Sequence, residues 1–427
     1  MADRTGLSDA DVRVLRSLGE WAAQAAASPV NQEKISAWYR HDEGAPDRRV
    51  MVLAEMNYLT GDKQRQPVEP GELRCTDPWA RQLEYHFRLR RFETEVVRDD
   101  HVVSPFVEYP PAVAASDFGV PTGHHREAGA DPLAFNYQPP LKSLDEADFA
   151  RLRHRTFRWN RDAEERTCER LEAIFAGILP ARRRCGPWQL GVPITSTALD
   201  LVGLDNFMLL TYDNPAGLHR LMAFIRDDHL AFLDWMDAEG AWPLNHEGDY
   251  VGAGSMGFTR RLPAPDFAGR ARCRDRWGLS ESQESVGISP AQYREFVHPY
   301  LRALSDRFGR VYYGCCEPVH TILDCLAELP NLARVSVSPW ADEEVVGRFC
   351  RERGIAYSRK PRPTLFMAPV YDEGAVREHL AKTVACARGC RLEIIQRDVY
   401  TTHDEPRRFV RWVELVREAA AGFHTAG

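Results

Sequence analysis

The chain has 427 residues, of which 44% are hydrophobic and 27% are charged, a composition typical of globular proteins. Its formal net charge of −7 argues against nucleic-acid binding, which favours basic domains. The first residues lack a basic segment followed by an apolar one, and no apolar run approaches the roughly 18 residues that span a bilayer. We therefore expect a cytoplasmic protein that binds neither nucleic acid nor membranes.

Cysteine usage indicates the same compartment. Ten cysteines are spread thinly over 427 residues, and they lie in helix-like and strand-like segments rather than in a compact set of loops. We therefore expect reduced thiols and no disulfide framework.

The N-terminal part predicts a helical extension over residues 1–48. Ser8 is a typical N-cap, and apolar residues recur at three-residue spacing from Val12 to Trp21. Residues 49–55 then form a short apolar run that ends in a carboxylate. This is the pattern of a buried parallel strand that delivers a polar residue at its carboxyl end.

Prolines interrupt residues 60–150 repeatedly, and the one clear helix within them is predicted over residues 78–95. Long ordered insertions in compact domains tend to be functional. Two roles fit this loop-rich layer: a cover over the mouth of the domain, or a contact surface in a homodimer.

From residue 145 onward, helix-length amphipathic segments alternate with short apolar ones. The predicted helices up to residue 308 span residues 145–179, 215–239 and 290–308. The predicted strands of the same part span residues 188–194, 249–251 and 272–279.

The C-terminal part predicts four consecutive βα units, with strands at residues 311–314, 333–337, 355–358 and 392–395. Such units argue for a parallel sheet with helices outside it. With the upstream strands, the count reaches about the eight that close a (β/α)₈ TIM barrel. We predict one α/β barrel of this kind over residues 49–427, and an open doubly wound sheet is the alternative.

Active sites of such barrels lie at the carboxyl ends of the strands, so the polar residues that follow each predicted strand are the candidates for chemistry. The candidate catalytic residues are Glu55, Asn57, Glu281, Glu317, Lys360 and Asp398, and the candidate cofactor-binding residues are His246 and Ser338.

Several of these candidates have a plain alternative. Lys360 is either an anion clamp in the barrel mouth or a solvated loop lysine. Glu281 and Glu284 are either an acid–base pair or exposed carboxylates. His246 and Asp249 are either a ligand pair or a hydrogen-bonded pair at the rim.

The run around Cys315 and Cys316 predicts a metal site, because thiolate sulfur suits zinc and a catalytic zinc has three protein ligands and one open position. Adjacent cysteines converge at a strand-to-loop turn, with Glu317 beside them and His320 four residues beyond Cys316. The candidate ligands are therefore Cys315, Cys316, Glu317 and His320. The alternative is that two cysteines at a tight turn pack as small apolar side chains.

Two segments, the predicted helix at residues 215–239 and the stretch 288–300 that begins with Ile288-Ser289-Pro290, resemble sequence motifs of the uroporphyrinogen decarboxylase superfamily. The run Y-Y-G-C-C-E-P-V-H at 312–320, with S-V-S-P-W at 336–340, resembles a subgroup associated with corrinoid-dependent O-demethylation, which typically reads H-Y-G-C-C-E-P. The resemblance covers residues 145–427 most clearly.

The resemblance implies a methyltransferase with a small-molecule methyl donor or acceptor. In that branch zinc activates the acceptor, and a corrinoid carried by a partner protein exchanges the methyl group. The usual ligand set is H-x-C plus a distant cysteine. Aligned on Cys316, this chain has Gly314 in place of the histidine and Asp398 near the place of the distant cysteine, so its ligand set departs from the usual one.

Two other functions remain open. The decarboxylase branch implies a lyase on a carboxylate-rich substrate, held here by Lys360 and Arg397, although the arginine-rich N-terminal phrase of true decarboxylases is absent. The missing zinc histidine is also compatible with a non-catalytic corrinoid-binding or scaffold protein.

Overall fold

Six parallel strands form the central sheet of the protein, of which the computed structural model describes residues 5–55, 68, 70–125, 136–185, 193–403 and 405–423. Across the sheet the strands follow the order β1-β6-β5-β4-β3-β2, so the last strand in the chain lies beside the first. Every neighbouring pair is parallel, and all carboxyl ends therefore meet on one side. The strands are Met51–Ala54 (β1), Trp277–Ser280 (β2), Arg310–Tyr313 (β3), Leu332–Val337 (β4), Ala356–Arg359 (β5) and Arg391–Gln396 (β6).

Helices link the strands: Glu343–Arg353 and Arg407–Ala420 pack on the face that carries Val52, and Pro29–Glu43 packs on the opposite face with Met51 and Leu53. The longer helices are Asp9–Ala27, Pro29–Glu43, Pro78–Phe92, Arg161–Phe175, Ile194–Val202, Leu204–Asp213, Pro215–Glu239, His298–Ser305, Glu343–Arg353, Glu373–Cys386 and Arg407–Ala420. The shorter α-helices are Glu146–Arg151, Pro290–Phe296, Leu323–Leu326 and Pro363–Met367.

Short strands pair outside the central sheet. The two-stranded ribbons join Val107–Tyr109 to Ala181–Arg183, Val113–Ala115 to Phe157–Trp159, Gly123–His125 to Asn136–Gln138, and Tyr250–Gly252 to Ser255–Met256. Among the described residues, no helix combines the length and the apolar character needed to cross a bilayer.

Local signals set the helix boundaries of the C-terminal units. Before Glu343–Arg353, the Asp342 carboxylate accepts the backbone N–H of Glu344 at 3.0 Å and of Val345 at 3.1 Å. The helix stops at Gly354, whose φ of 60° is left-handed and costs glycine little. Boundaries of this kind are readable in the sequence, and these units are where the predicted and observed elements agree best.

The two edges of the sheet are completed by side chains. At the outer edge of β1, Asp100 accepts the N–H of Val52 at 2.8 Å and Asp99 accepts that of Ala54 at 2.9 Å. At the outer edge of β2, the Asn245 side chain accepts the N–H of Trp277 at 2.9 Å and donates to its carbonyl at 3.0 Å. These bonds supply the partners that further strands would otherwise give.

The hairpin formed by Tyr250–Gly252 and Ser255–Met256 packs on the inner face of the curved sheet. Val251 is fully buried in one cluster with Tyr312 of β3 and Trp277 of β2. At the tip, a Cβ on Gly254 would stand 2.7 Å from a methyl of Ile395. The hairpin therefore fills the space that the two unpaired edges leave.

The predicted α/β architecture with a parallel sheet is confirmed, but the closed eight-stranded barrel is not. In the part of the chain that the structure describes, no ladder joins β1 to β2. The reason is that β1 pairs with the carboxylates of Asp99 and Asp100, and β2 pairs with the Asn245 amide, where a closed barrel would have strands.

Other predictions fail at identifiable residues. The predicted helix 145–179 is broken by the strand Phe157–Trp159. The predicted helix 290–308 divides near Pro299, which has no N–H to continue the helix. The predicted strand 188–194 lies mostly outside the described residues, and its last residue, Ile194, starts a helix.

A buried charge cluster occupies the amino end of the sheet interior. Arg334 is fully buried and contacts Asp42 at 3.4 Å and Glu393 at 3.3 Å, while Arg310 bonds Asp42 at 2.9 Å. Burial acts to raise the pKa of Asp42, but the two arginines outweigh it and lower that pKa. Removing one partner from such a cluster would leave a buried charge without a counter-ion.

Candidate functional site

The carboxyl ends of the strands bring most of the predicted site residues together. Glu55 follows β1, Glu281 follows β2, Cys315 follows β3, Lys360 follows β5 and Asp398 follows β6. We call this group the strand rim. Its position follows from the parallel order of the sheet, as the sequence predicted.

The two thiols of the rim face each other. The sulfur atoms of Cys315 and Cys316 lie 3.6 Å apart, with Cys316 exposed and Cys315 half-buried. Either sulfur can donate in this contact; a proton shared from Cys315 stabilises the deprotonated form of Cys316, which lowers the pKa of Cys316 and raises that of Cys315. Burial and the charges of Asp398 and Glu317 oppose the lowering, and Arg397 supports it. Cys316 is therefore the more nucleophilic sulfur.

The backbone around the thiols is held on both sides. Gly314 has a φ of 98°, which few other residues adopt, and its turn carries the chain from β3 into the thiol pair. The N–H of Cys315 donates to Glu317 at 2.8 Å, and its carbonyl accepts the Ser336 hydroxyl at 2.9 Å. The pair is thus positioned before any ligand arrives.

Glu317 has a structural role in this turn. It is buried, and its two carboxylate oxygens accept the N–H groups of Cys315 and, at 3.0 Å, Ser282. Burial raises its pKa, and these hydrogen bonds work against the rise. Ser338, predicted to bind a cofactor, is also buried and donates to the Glu317 carbonyl at 3.0 Å. Both side chains brace the thiol loop.

Lys360 lies under the rim and is not a solvated loop lysine. Its ammonium donates to the Tyr312 hydroxyl at 2.7 Å and to the Ser358 hydroxyl at 2.5 Å. Burial lowers the pKa of Lys360 to about 7, and Arg397 adds to the effect, so this amine titrates near neutrality. The amine of Lys360 donates its hydrogen bonds to Tyr312 and Ser358, so it is not free to bind an external anion.

Glu55 and Arg397 form an ion pair across the two neighbouring strand ends, with 2.7 Å between Nε and Oε2. Gly254 lies beneath this pair: a Cβ there would stand 3.0 Å from the Glu55 carboxylate, and the φ of 89° already favours glycine. The hairpin tip thus supports the ion pair from inside the sheet.

Glu281 is a carboxylic acid rather than a carboxylate at neutral pH. Burial raises its pKa to about 9, with further contributions from the charges of Glu284 and Glu317. Glu284 accepts the Thr195 hydroxyl at 2.7 Å. Glu284 is therefore held by Thr195 in the same loop as Glu281.

A cavity of about 490 Å³ adjoins the rim at Glu55. Its lining includes Tyr250, His101, Arg184 and Cys185 in addition to Glu55. Burial raises the pKa of Tyr250 to about 12, which keeps its hydroxyl protonated as a hydrogen-bond donor. The volume is that of a site for a small molecule.

The predicted zinc ligands do not converge in this arrangement. Among the described residues, no three His, Cys, Asp or Glu side chains lie close enough to hold a metal ion. Glu317 uses its oxygens on backbone N–H groups, and His320 accepts the N–H of Asp342 at 3.1 Å through Nδ1, beside a different cavity. Within the described part of the chain the predicted ligands supply two neighbouring thiols, and zinc binding stays a prediction.

The remaining predicted residues lie apart or outside the description. His246 follows Asn245, which bonds Trp277 at the start of β2, so His246 lies toward the amino ends of the strands. Asn57 falls outside the described residues. Asp398 has a left-handed φ of 56° at the rim and acts on Cys316 through its charge.

Sequence reasoning missed the residues that shape the cavity. Asp99 and His101 come from a segment outside the sheet that no periodic pattern marks, and Tyr250 lies in the predicted strand 249–251 but was not a site candidate. The acidic pair Asp99-Asp100 directly before His101 is the one signal in the sequence that could have drawn attention to this segment.

Comparisons with known proteins leave the family unassigned. No family model matches the chain, and none of the curated proteins matches it either. A solved methyltransferase from Methanosarcina mazei is similar to this chain, with 13% identity, a TM-score of 0.48, and coverage of 92% of this chain and 99% of the other. Similarity at this level assigns no activity to this chain.

Proposed function

We propose that the protein is a methyltransferase in which the Cys316 thiolate takes up the methyl group. The observation that carries the proposal is the thiol pair at the rim, with 3.6 Å between the sulfur atoms of Cys315 and Cys316. A thiolate is a soft nucleophile that attacks carbon readily, and the Cys315 hydrogen bond increases its thiolate fraction. The resemblance of the run at 312–320 to O-demethylating proteins supports the same chemistry.

The step balances without a metal. The sulfur of Cys316 forms a bond to the methyl carbon, and the bond from that carbon to the donor breaks, with its electron pair staying on the donor. Glu281, protonated at neutral pH and placed at the same rim, supplies a proton where the leaving group needs one. Arg397 stabilises the thiolate before transfer.

The donor is proposed from the resemblance alone. A corrinoid carried by a partner protein is the donor class that the resemblance implies, and free methylcobalamin is the practical probe for it. A small methylated compound is the other source of the same group.

Peptide mass mapping tests the proposal. The reduced full-length chain is incubated with methylcobalamin, and Cys316 is expected to gain one methyl group. Cys316→Ser should abolish the product, and Cys315→Ser should slow its formation because the thiolate loses its hydrogen bond. Cys168→Ser, on the helix Arg161–Phe175, is the matched control and should react as the parent does. Methylation at an equal rate in Cys316→Ser would refute the proposal.

The lyase alternative has less support from the geometry. It relies on Lys360 and Arg397 as free cations for substrate carboxylates. Arg397 is paired with Glu55, and Lys360 is held by Tyr312 and Ser358. Carbon dioxide release from a porphyrinogen is the measurement that would restore this alternative.

A further inference from the structure

Cys316 carries the most accessible thiol of the chain. Among the ten cysteines it alone is exposed, whereas Cys315, Cys168 and Cys386 are partly buried and the other six are buried. All ten are free thiols in the structure. A reagent that diffuses to the protein therefore meets the sulfur of Cys316 first, because thiol reactivity follows exposure.

The thiol of Cys315 is within reach of this sulfur. The two sulfur atoms lie 3.6 Å apart, and a disulfide bond is about 2 Å long, so bond formation needs a displacement of about 1.5 Å. Rotation of the two side chains about χ1 supplies a movement of this size without a change of fold. Cys315 is therefore placed to form a disulfide with its neighbour.

The backbone of the pair is held by groups on either side of it. The N–H of Cys315 donates to Glu317 at 2.8 Å, and its carbonyl accepts the Ser336 hydroxyl at 2.9 Å. Gly314, with its φ of 98°, fixes the turn that precedes the two thiols. A held backbone reduces the conformational entropy that bond formation has to remove.

A disulfide between adjacent residues differs from a structural disulfide in its stability. Consecutive Cα atoms are about 3.8 Å apart, which is shorter than the roughly 4.4 to 6.8 Å found across ordinary disulfides. Strained and accessible disulfides have higher reduction potentials than structural ones and are easily reduced. A Cys315–Cys316 bond would therefore open again in the presence of small thiols.

We propose that Cys315 and Cys316 are a redox modification site, which reduces a low-molecular-weight disulfide and becomes a Cys315–Cys316 disulfide. In the first step, the Cys316 thiolate bonds to one sulfur of the oxidant, whose S–S bond breaks and releases a thiolate. In the second step, the Cys315 sulfur bonds to the Cys316 sulfur and releases the other half of the oxidant. The two protein thiols are oxidised, the oxidant is reduced, and the protons of the protein thiols end on the two released thiols.

The modification acts on the site of the proposed function, and its regulatory consequence rests on that function. Methyl uptake needs the Cys316 thiolate, and a disulfide sulfur has lost this nucleophilic form. Oxidation therefore switches methyl uptake off, and reduction switches it on again. A methylated Cys316 is a thioether and cannot attack the oxidant, so the methyl group protects the site from oxidation.

The first test does not need methyl transfer. The reduced full-length chain is incubated with oxidised glutathione, free thiols are alkylated, and the tryptic peptide that contains Cys315, Cys316 and Cys325 is mapped without reduction. This peptide should be alkylated at Cys325 alone and should carry no glutathione, and dithiothreitol should restore all three thiols. A Cys316 that stays free, retains glutathione or bonds to another cysteine would overturn the inference.

Serine variants separate the two steps. Cys315→Ser should keep glutathione on Cys316 as a stable mixed disulfide, because no neighbouring thiol displaces it. Cys316→Ser should leave Cys315 unmodified over the time in which the parent reacts, because Cys315 is partly buried. Cys168→Ser removes another partly buried thiol and is the matched control, which should form the Cys315–Cys316 bond as the parent does. Glutathione attachment to Cys315 at the parental rate in Cys316→Ser would contradict the proposed order of attack.

Methyl uptake tests the regulatory consequence. The oxidised chain, freed of glutathione by gel filtration, should gain no methyl group from methylcobalamin at Cys316, and reduction should restore the uptake of the untreated chain. Equal uptake before and after oxidation would overturn the regulatory consequence. A chain that forms and reopens the bond but never accepts a methyl group would support the modification site and refute the proposed function.

Discussion

At both edges of the central sheet, side chains provide hydrogen-bond partners for the backbone of the edge strand, but the side chains differ in charge. At β2 a single neutral amide, Asn245, both donates to and accepts from Trp277. At β1 two carboxylates, Asp99 and Asp100, accept the strand's N–H groups. An amide needs no counter-charge, whereas buried carboxylates require cations nearby. The β1 edge therefore carries ionisable groups to the cavity, and the β2 edge does not.

The largest effect should come from removing the carboxylate that serves both edge and cavity. Asp99→Ala leaves the Ala54 N–H and the buried His101 ring without a partner. We expect a loss of about 3–5 kcal/mol in the free energy of unfolding, the range for breaking a buried pair. Urea denaturation at neutral pH measures it. A loss below about 1 kcal/mol would show that the edge does not depend on this carboxylate.

Removing the neutral side chain at the β2 edge should reduce the free energy of unfolding by a smaller amount. Asn245→Ala removes two hydrogen bonds from Trp277 and should cost about 2–3 kcal/mol, because buried backbone groups lose their partners. The same denaturation experiment, repeated between about pH 5 and pH 9, should give a constant difference from the parent, since no titrating group is removed. A pH-dependent difference would contradict the contrast between the edges.

The hairpin between the edges is the next place to test. Gly254→Ala forces a left-handed residue and places a Cβ against Ile395 and the Glu55 carboxylate. We expect a loss of about 1–3 kcal/mol and slower methylation of Cys316, because the Glu55–Arg397 pair is displaced. Gly269→Ala, also left-handed but with open space around its Cβ, is the matched control for strain alone. Equal losses in the two variants would show that the hairpin tip does not support the ion pair.

A smaller effect is expected in the pH dependence of stability, which only the β1 edge should show through Asp99 and His101. Burial acts to raise the pKa of Asp99, but His101 outweighs it and lowers that pKa, and Asp99 in turn raises that of His101. The Asp99 contribution is present above its unfolded pKa of about 3.9 and is lost as pH falls through its folded value. The His101 contribution is present below its unfolded pKa of about 6.5 and is lost as pH rises through its folded value.

The pair therefore stabilises the fold most between about pH 4 and pH 6.5. His101→Gln should be less stable than the parent in that window, and the difference should shrink in alkaline solution. Thermal or urea unfolding across pH measures the difference. A difference that grows as pH rises would contradict the assigned direction of the His101 pKa.

The smallest effect concerns the partly exposed cation of the β1 edge. Arg49 bonds Asp100 at 2.8 Å, but its side chain is 35% exposed and Arg417 also approaches the same carboxylate at 3.6 Å. Arg49→Met should cost about 1 kcal/mol or less, and added salt should reduce the difference. A loss as large as that of Asp99→Ala would mean that the cation, and not the backbone contact, holds this edge.

The sequence predicted what depends on local periodicity and turn chemistry. The helix Pro215–Glu239 is where it was expected, and the strand predicted over residues 311–314 is observed as Arg310–Tyr313, with the turn before the thiols beginning at Gly314. Lys360 and Glu55 were placed at the rim because parallel strands share their polarity. These features need only neighbouring residues or the direction of the chain.

Pairings between distant side chains and backbone were not predictable. Asn245 and Trp277 are 32 residues apart, and Asp99 and Ala54 are 45 apart, and neither pairing leaves a periodic trace. Glu317 was predicted to be catalytic because it is acidic and follows a strand. In the structure its oxygens hold backbone N–H groups, a role that depends on where the loop after β2 returns.

The pairing of β1 with β6 has a consequence for synthesis on the ribosome. β1 is synthesised first and pairs with β6, which is synthesised last, and Glu55 and its partner Arg397 are 342 positions apart in the chain. At ordinary translation speeds this delay is roughly 20 to 70 s. During that time the edge of β1 that pairs with β6 has no partner, while the later βα units fold as neighbours in sequence. The nascent chain should therefore depend on chaperones that shield its first strand until the last one leaves the exit tunnel.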